Sequence, residues 1–169
     1  YDWTAILETI HKLQPDAVTA IMGDDVRWVG NEGGRGRQTE WSATAYTPVS
    51  IERGLAQNQS LGLVEMSRDL GSRELIAKAQ EVTWYPSEVD VSIRPGWFYH
   101  PYQDAQVRSL ENLVDIYYTS VGRNSVLLLN IPPDTRGLIH ETDAARLREL
   151  RKYLDTTFAA NLLQRKSHA

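Results

Sequence analysis

The sequence predicts an α/β fold in which parallel strands alternate with helices, arranged as the C-terminal portion of a (β/α)8 (TIM-like) barrel. Three observations carry this reading. The strand candidates are short apolar runs, as in sheets covered on both faces. Helical patterns separate them in the order α-β-loop-α-β-α-β-α. The chain opens on a helix and offers too few strands for a comfortable parallel sheet, so residues 1–169 are expected to be part of a single barrel domain whose earlier strands lie outside this sequence. A complete small doubly wound domain is the alternative.

Each element has its own signal. Ile6, Leu7, Ile10 and Leu13 recur at helical spacing, and Pro15 stops the pattern. "AVTAIM" (17–22) is apolar, contains β-branched residues and closes at Gly23, which predicts a buried strand. A segment rich in Gly, Arg and Trp follows. The stretch 46–72 is weakly patterned and reads as a long insertion, functional or packed on a neighbour. Ser72 is a candidate cap for a helix over 72–80. "EVTWYPSEVDVSI" (81–93) reads as a strand interrupted near Pro86. A helix is expected over 104–122, ended by a left-handed Gly122. "SVLLLNI" (125–131) predicts a fully apolar strand broken by Pro132 and Pro133, and a long helix follows from His140.

Composition excludes several functions. The 169 residues are 41% hydrophobic and 24% charged, an ordinary globular balance. A net charge of −4 argues against a polyanion-binding surface, so no nucleic-acid partner is expected. No apolar run reaches the ~20 residues of a membrane span, and no membrane partner is expected. The chain has no cysteine, which removes disulfides, thiolate metal sites and cysteine nucleophiles. Motifs for metal or nucleotide binding are missing, and no cofactor is expected. Five Trp and eight Tyr stand against two Phe, a balance suited to holding amphipathic ligands such as sugars, although core filling explains aromatics equally well.

In a barrel, function sits at the C-terminal ends of the strands. The residues expected there are Asp24, Asp25, Arg27, Trp28, Asn31 and Glu32, then Trp84, Tyr85, Glu88, Asp90, Arg94, Trp97, Tyr99 and His100, then Asp134. Carboxylates, tryptophans and arginines together suit a carbohydrate-processing site. Each also has a plain structural role open to it. Asp24 and Asp25 are candidates to cap a turn, with Arg27 as their partner. Glu40 is a candidate to pair with Arg35 or Arg37. Glu88 and Asp90 share one strand face by the period of two.

"DVRWVGNE", "TEW", "WYPSEVDVSIRPGWFYHP" and "SVGRNSVLLLNIPPDTRGLI" resemble the C-terminal half of the catalytic barrel in α-L-fucosidases of glycoside hydrolase family 29. The resemblance covers nearly the whole chain, from about Asp2 to Leu163, and "RWVGNE" resembles the branch acting on α-1,3- and α-1,4-linked fucose. It implies a retaining hydrolase that removes terminal L-fucose by double displacement. The family's Asp nucleophile sits in a Trp-Phe-Asp-Gly motif that does not occur here and would fall before Tyr1. The acid/base maps onto Glu32, with Glu40 as fallback. Trp97 becomes a platform for the methyl face of the sugar, and Trp28, Arg27, Trp84 and Glu88 become further substrate contacts. Trp28 and Trp41 are candidates for an apolar wall beside the acid. A fucosylated oligosaccharide or glycoconjugate is the implied partner. A following β-sandwich and a periplasmic or extracellular location come by analogy. Two other classes stay open: a non-catalytic fucose- or glycan-binding module of the same fold, and a small α/β protein-interaction domain.

Overall fold

A computed structural model describes residues 1–20, 23–48 and 54–161. The element order is α1 (Trp3–Leu13), β1 (Arg27–Trp28), β2 (Ala43–Thr44), α2 (Leu55–Leu61), α3 (Arg73–Ile76), β3 (Thr83–Trp84), β4 (Ser87–Ser92), α4 (Leu110–Ser120), β5 (Val126–Asn130) and α5 (Glu141–Thr157). Single 3-10 segments span Pro101–Gln106 and Val121–Arg123. Helices thus alternate with the strands of a three-stranded sheet in the order β1-β4-β5, and β2 and β3 form a separate pair. The chain resolves into two compact units, residues 1–91 with 116–128, and residues 92–115 with 129–169.

In the first unit β1 runs parallel to β4, with Arg27 opposite Ser87 and Trp28 opposite Glu88. Arg27 N–H donates to the Pro86 carbonyl at 3.0 Å, and Val29 N–H to that of Glu88 at 2.9 Å. The strand expected at 17–22 is a correction. Residues 17–20 hold only an isolated bridge, Ala20 to Val26, while Ile21 and Met22 lie outside the described residues. The cause is local: the Asp25 carboxylate accepts from both the N–H and the hydroxyl of Thr19, at 2.8 and 2.7 Å. Val26 N–H donates to the Thr19 carbonyl at 3.1 Å. These bonds fold the segment back on itself, and the strand that pairs with β4 is the later "RW".

The interruption at Pro86 is real. β3 lies before it and pairs antiparallel with β2, while β4 follows it and joins the parallel sheet. A small core of Tyr46, Leu70 and Tyr85 packs here with Leu63 and Leu75, and the two tyrosine rings stack at 6.0 Å.

The 46–72 insertion, patternless in sequence, is packed by polar side chains. Gln57 lies on α2, an element the sequence reading missed. Its amide nitrogen donates to the carbonyls of Ala45 and Glu81, and its oxygen accepts from the N–H groups of Gln80 and Glu81. Asn58 clamps both backbone groups of Thr47. Buried amides bonded through both their oxygen and their nitrogen fix a segment that has almost no apolar periodicity. Residues 49–53 lie outside the described residues.

Ser72 caps α3 as expected, accepting from Leu75 N–H, but the helix is one turn long. The helix expected over 104–122 is divided by an extended Val107 and ends in a 3-10 turn. The left-handed residue that closes it is Asn124, at φ 64°, and not Gly122. On β5, Val126 and Leu128 are 48% and 58% exposed, so one face of a strand expected to be buried on both sides is open.

The second unit is organised around a buried cation. Arg94 is 1% exposed, and its Nε donates to Asp143 Oδ2 at 2.8 Å. One terminal nitrogen donates to Asp104 Oδ1 at 2.9 Å, and the guanidinium lies 4.7 Å from the Tyr99 ring centre. Asp143 has no exposed surface and sits in the first turn of α5, where the helix dipole favours an anion. Removing one partner of a buried pair leaves the other charge uncompensated, at a cost of about 3 kcal/mol. Asp143→Ala is therefore expected to lower the urea midpoint sharply. Asp155→Ala, which breaks the exposed pair with Arg151, should leave that midpoint unmoved. Similar midpoints for the two variants would show that the Arg94 cluster does not anchor this unit.

Candidate active site

Immediately after β1 the chain enters the loop carrying Glu32. Gly30 and Gly34 adopt φ values of +87° and +70°, which only glycine takes without strain. Gly36 fits because any Cβ there would stand 2.8 Å from the Ser125 hydroxyl. The loop is pinned at several points. The Asn31 side chain accepts from Gly33 N–H and donates to the Arg35 carbonyl, both at 3.0 Å. Gly34 N–H donates to the Asp90 carbonyl at 3.1 Å. The Gly36 carbonyl accepts from Arg123 at 2.8 Å, and its N–H donates to the Thr119 carbonyl at 2.8 Å. Glu32 lies within this braced loop with its side chain exposed.

Glu40 has the opposite environment. It is 2% exposed, and its two carboxylate oxygens are divided between two arginines. One oxygen accepts from Arg37 at 2.7 Å and the other from Arg27. The expected Glu40–Arg37 pair is present, and Arg27 adds a second cation. Arg27 was expected to pair with Asp24 or Asp25, or to touch substrate. Instead it has no exposed surface and binds Glu40 and the Tyr85 carbonyl. Burial fixes its role as an anchor of the loop.

Trp28 and Glu88 are register neighbours on adjacent parallel strands, so their side chains share a sheet face. The Trp28 indole N–H donates to Asp90 Oδ1 at 2.9 Å. Glu88 is 6% exposed, and its Oε1 has no hydrogen-bond partner among the described residues. Burial, and after it the negative charge of Asp90, pushes the Glu88 carboxyl above its ordinary range. Trp41 is 52% exposed, and Trp84 on β3 is 74% exposed. Trp97 belongs to the second unit and is 37% exposed. Asp134 is tied to Arg136 by two hydrogen bonds, which with backbone N–H donors bring its carboxyl down to about 2.

Two features escaped the sequence reading. Glu65, from the patternless insertion, accepts from the Trp28 N–H at 3.5 Å, and burial raises its carboxyl above the usual range. Ser92 and Asn130 bond to the turn that carries Trp97. Their only sequence signal is a polar residue at the end of an apolar strand.

The family model described as Alpha-L-fucosidase matches residues 8–157. The chain belongs to the α-L-fucosidase family. It is similar to Alpha-L-fucosidase 1 of Arabidopsis thaliana, at 41% identity over 157 residues, covering 92% of this chain and 28% of that protein. Among solved structures it resembles a candidate α-L-fucosidase from Bacteroides ovatus, at 62% identity and a TM-score of 0.83, covering 95% of this chain and 28% of the other. A family 29 fucosidase from Ruminococcus gnavus, solved in complex with fucose, shares 25% identity and a TM-score of 0.70 over 96% of this chain and 31% of its own. The chain thus spans under a third of the length of these relatives.

The buried face of this family member carries a pH signature. A carboxyl whose folded pKa is raised binds its proton more tightly in the folded state than in the unfolded state. Its contribution favours the fold below the ordinary glutamate range, about 4.3, and is lost as pH rises from there through the folded value. Glu88→Gln removes that loss. The variant is expected to gain stability relative to the parent between about pH 4 and about pH 7, read by urea unfolding at each. A difference that stays constant across the interval would show that its surroundings do not raise the Glu88 carboxyl.

Proposed function

We propose that this chain is the C-terminal portion of the barrel of a retaining α-L-fucosidase and supplies its acid/base, Glu32. The observation that carries the proposal is the contrast within one loop. Glu32 is accessible on a segment braced at both ends directly after a parallel strand, whereas Glu40 is locked between two arginines. A general acid has to reach the leaving oxygen and exchange its proton, which an accessible carboxyl can do and a doubly ion-paired one cannot.

The reaction proceeds in two displacements. An Asp from an earlier part of the barrel attacks C1 of an α-L-fucoside while Glu32 protonates the departing glycosidic oxygen, leaving a β-fucosyl ester. Glu32, now a carboxylate, takes a proton from water as that water attacks C1, and α-L-fucose leaves with its configuration retained. Such carboxyls stand about 5 Å apart. Trp28, Trp84 and Glu88 are the proposed substrate contacts of the first unit, and in the second unit Trp97 is the proposed platform for the methyl group of the sugar. Arg27 acts on this site only through Glu40.

The open face of β5, with Val126 and Leu128 exposed, supports a sheet that the rest of a longer barrel covers. "RWVGNE" supports terminal fucose in α-1,3 or α-1,4 linkage on a glycan as the substrate. A periplasmic or extracellular setting and a following β-sandwich domain complete the proposal by analogy with the family.

Glu32→Gln in the full-length protein tests it. Protonation matters most for poor leaving groups, so hydrolysis of natural fucosylated oligosaccharides should fall by at least about 100-fold. An aryl fucoside with an acidic phenol should still form the covalent intermediate, which then accumulates for want of a base. Azide needs no base and should restore turnover, releasing α-L-fucosyl azide. Glu40→Gln should show no azide rescue. Rescue in Glu40→Gln and not in Glu32→Gln would reverse the assignment; rescue in neither would move the acid/base outside this loop.

A further inference from the structure

The turn after β4 carries Trp97, and three polar side chains hold its backbone. Ser92, the last residue of β4, donates its hydroxyl to the Gly96 carbonyl at 2.7 Å and accepts from Arg94 N–H at 3.3 Å. The Asn130 side-chain amide donates twice, to the Ser92 hydroxyl at 3.0 Å and to the carbonyl of Trp97 itself at 3.1 Å. Arg94, fixed by Asp104 and Asp143, reaches the His100 carbonyl at 3.4 Å on the far side of the turn. Asn130 is in turn held in place, because its own carbonyl accepts from Ile93 N–H at 3.0 Å. All of these residues belong to the second unit.

Such a network exceeds what closing a turn requires. Trp97 is 37% exposed, and the bond to its own carbonyl constrains the backbone from which the indole projects. An aromatic platform discriminates only if its face is preorganised, since a mobile ring loses rotamer freedom when it binds. We propose that Asn130 is a positioning residue for Trp97, and that through this bond it sets the preference for a sugar whose C6 is a methyl group. The inference rests on the reading of Trp97 as the fucose platform. A methyl packs against an indole face, whereas a hydroxymethyl at the same carbon brings a polar group onto it.

The experiment uses the full-length protein and two inhibitors, L-fucose and L-galactose, which differ only at C6. Asn130→Asp keeps the size of the side chain but replaces the donor facing the Trp97 carbonyl with an acceptor. In this variant L-fucose inhibition is expected to weaken about 10-fold and L-galactose inhibition about 2-fold or less, so that the preference collapses. KM for an aryl fucoside should rise with kcat within about 3-fold, the pattern of lost ground-state binding. Trp97→Ala, measured in parallel, should lose the preference to the same degree.

If Trp97→Ala loses the preference and Asn130→Asp keeps it, the positioning role is wrong while the platform stands. If Trp97→Ala keeps it, the platform reading is wrong and the inference falls with it. Equal weakening for both sugars in Asn130→Asp would mark general damage and also overturn the inference. Should Asn130→Asp fail to fold, Ser92→Ala decides, because it removes the tie to Gly96 and the partner of the Asn130 amide. A collapsed preference there supports the inference, and a preserved one overturns it.

Discussion

The buried charge cluster of Arg27, Glu40 and Arg37 is the constraint on which the candidate site depends. Arg27 projects from a two-residue strand, has no exposed surface, and faces a carboxylate thirteen residues further on. Taking these ions out of water is expensive, and their attraction offsets that cost only when the geometry satisfies both partners. Glu40 meets this condition with one oxygen on each arginine, and Arg27 adds a bond to the Tyr85 carbonyl. Such a cluster adds little to stability over a well-packed apolar one, but removing one partner leaves a buried charge uncompensated. It joins the far end of the loop to the strand at its start. Glycines at +87° and +70° then let the chain between them turn, and Asn31 braces the segment around Glu32. The loop is costly in charged side chains because it has to be both irregular and fixed.

That constraint also separates the two glutamates. They are eight residues apart in the same glycine-rich stretch, and each is compatible with acid/base chemistry. Nothing in local sequence says which is solvent-facing. Burial is a property of the assembled fold, and it assigns Glu40 to the cluster and leaves Glu32 accessible. The same logic applies to Arg27, which looks like a substrate contact when read as loop and becomes a structural cation once it lies in β1.

What was legible in the sequence was mainly what local physics decides. The spacing of Ile6, Leu7, Ile10 and Leu13 gave α1, Ser72 marked a helix start, and Pro86 divided two strands that join different sheets. The failures are non-local. "AVTAIM" is a better strand by composition than "RW", yet parallel pairing with β4 selects the latter, because Asp25 claims the hydrogen-bonding groups of Thr19. Helix α2 escaped because its buried residues are Gln57 and Asn58, held by hydrogen bonds where periodicity reads only apolar residues. Asn124 takes the left-handed position expected of Gly122, since the helix tightens into a 3-10 turn and ends later. The four motifs carrying the family resemblance did identify the family that the comparison recovers over residues 8–157.

The central claim is that Glu32 is the carboxyl beside the leaving-group oxygen. An affinity label tests it most directly: a fucosylamine bearing a bromoacetyl group at the aglycone position places an electrophile where the acid/base must sit. Inactivation of the full-length protein, followed by peptide mapping by mass spectrometry, should find one ester adduct, on Glu32, with free L-fucose protecting against it. An adduct on Glu40, on Glu88 or on a carboxylate outside this chain, with Glu32 unmodified, would contradict the account.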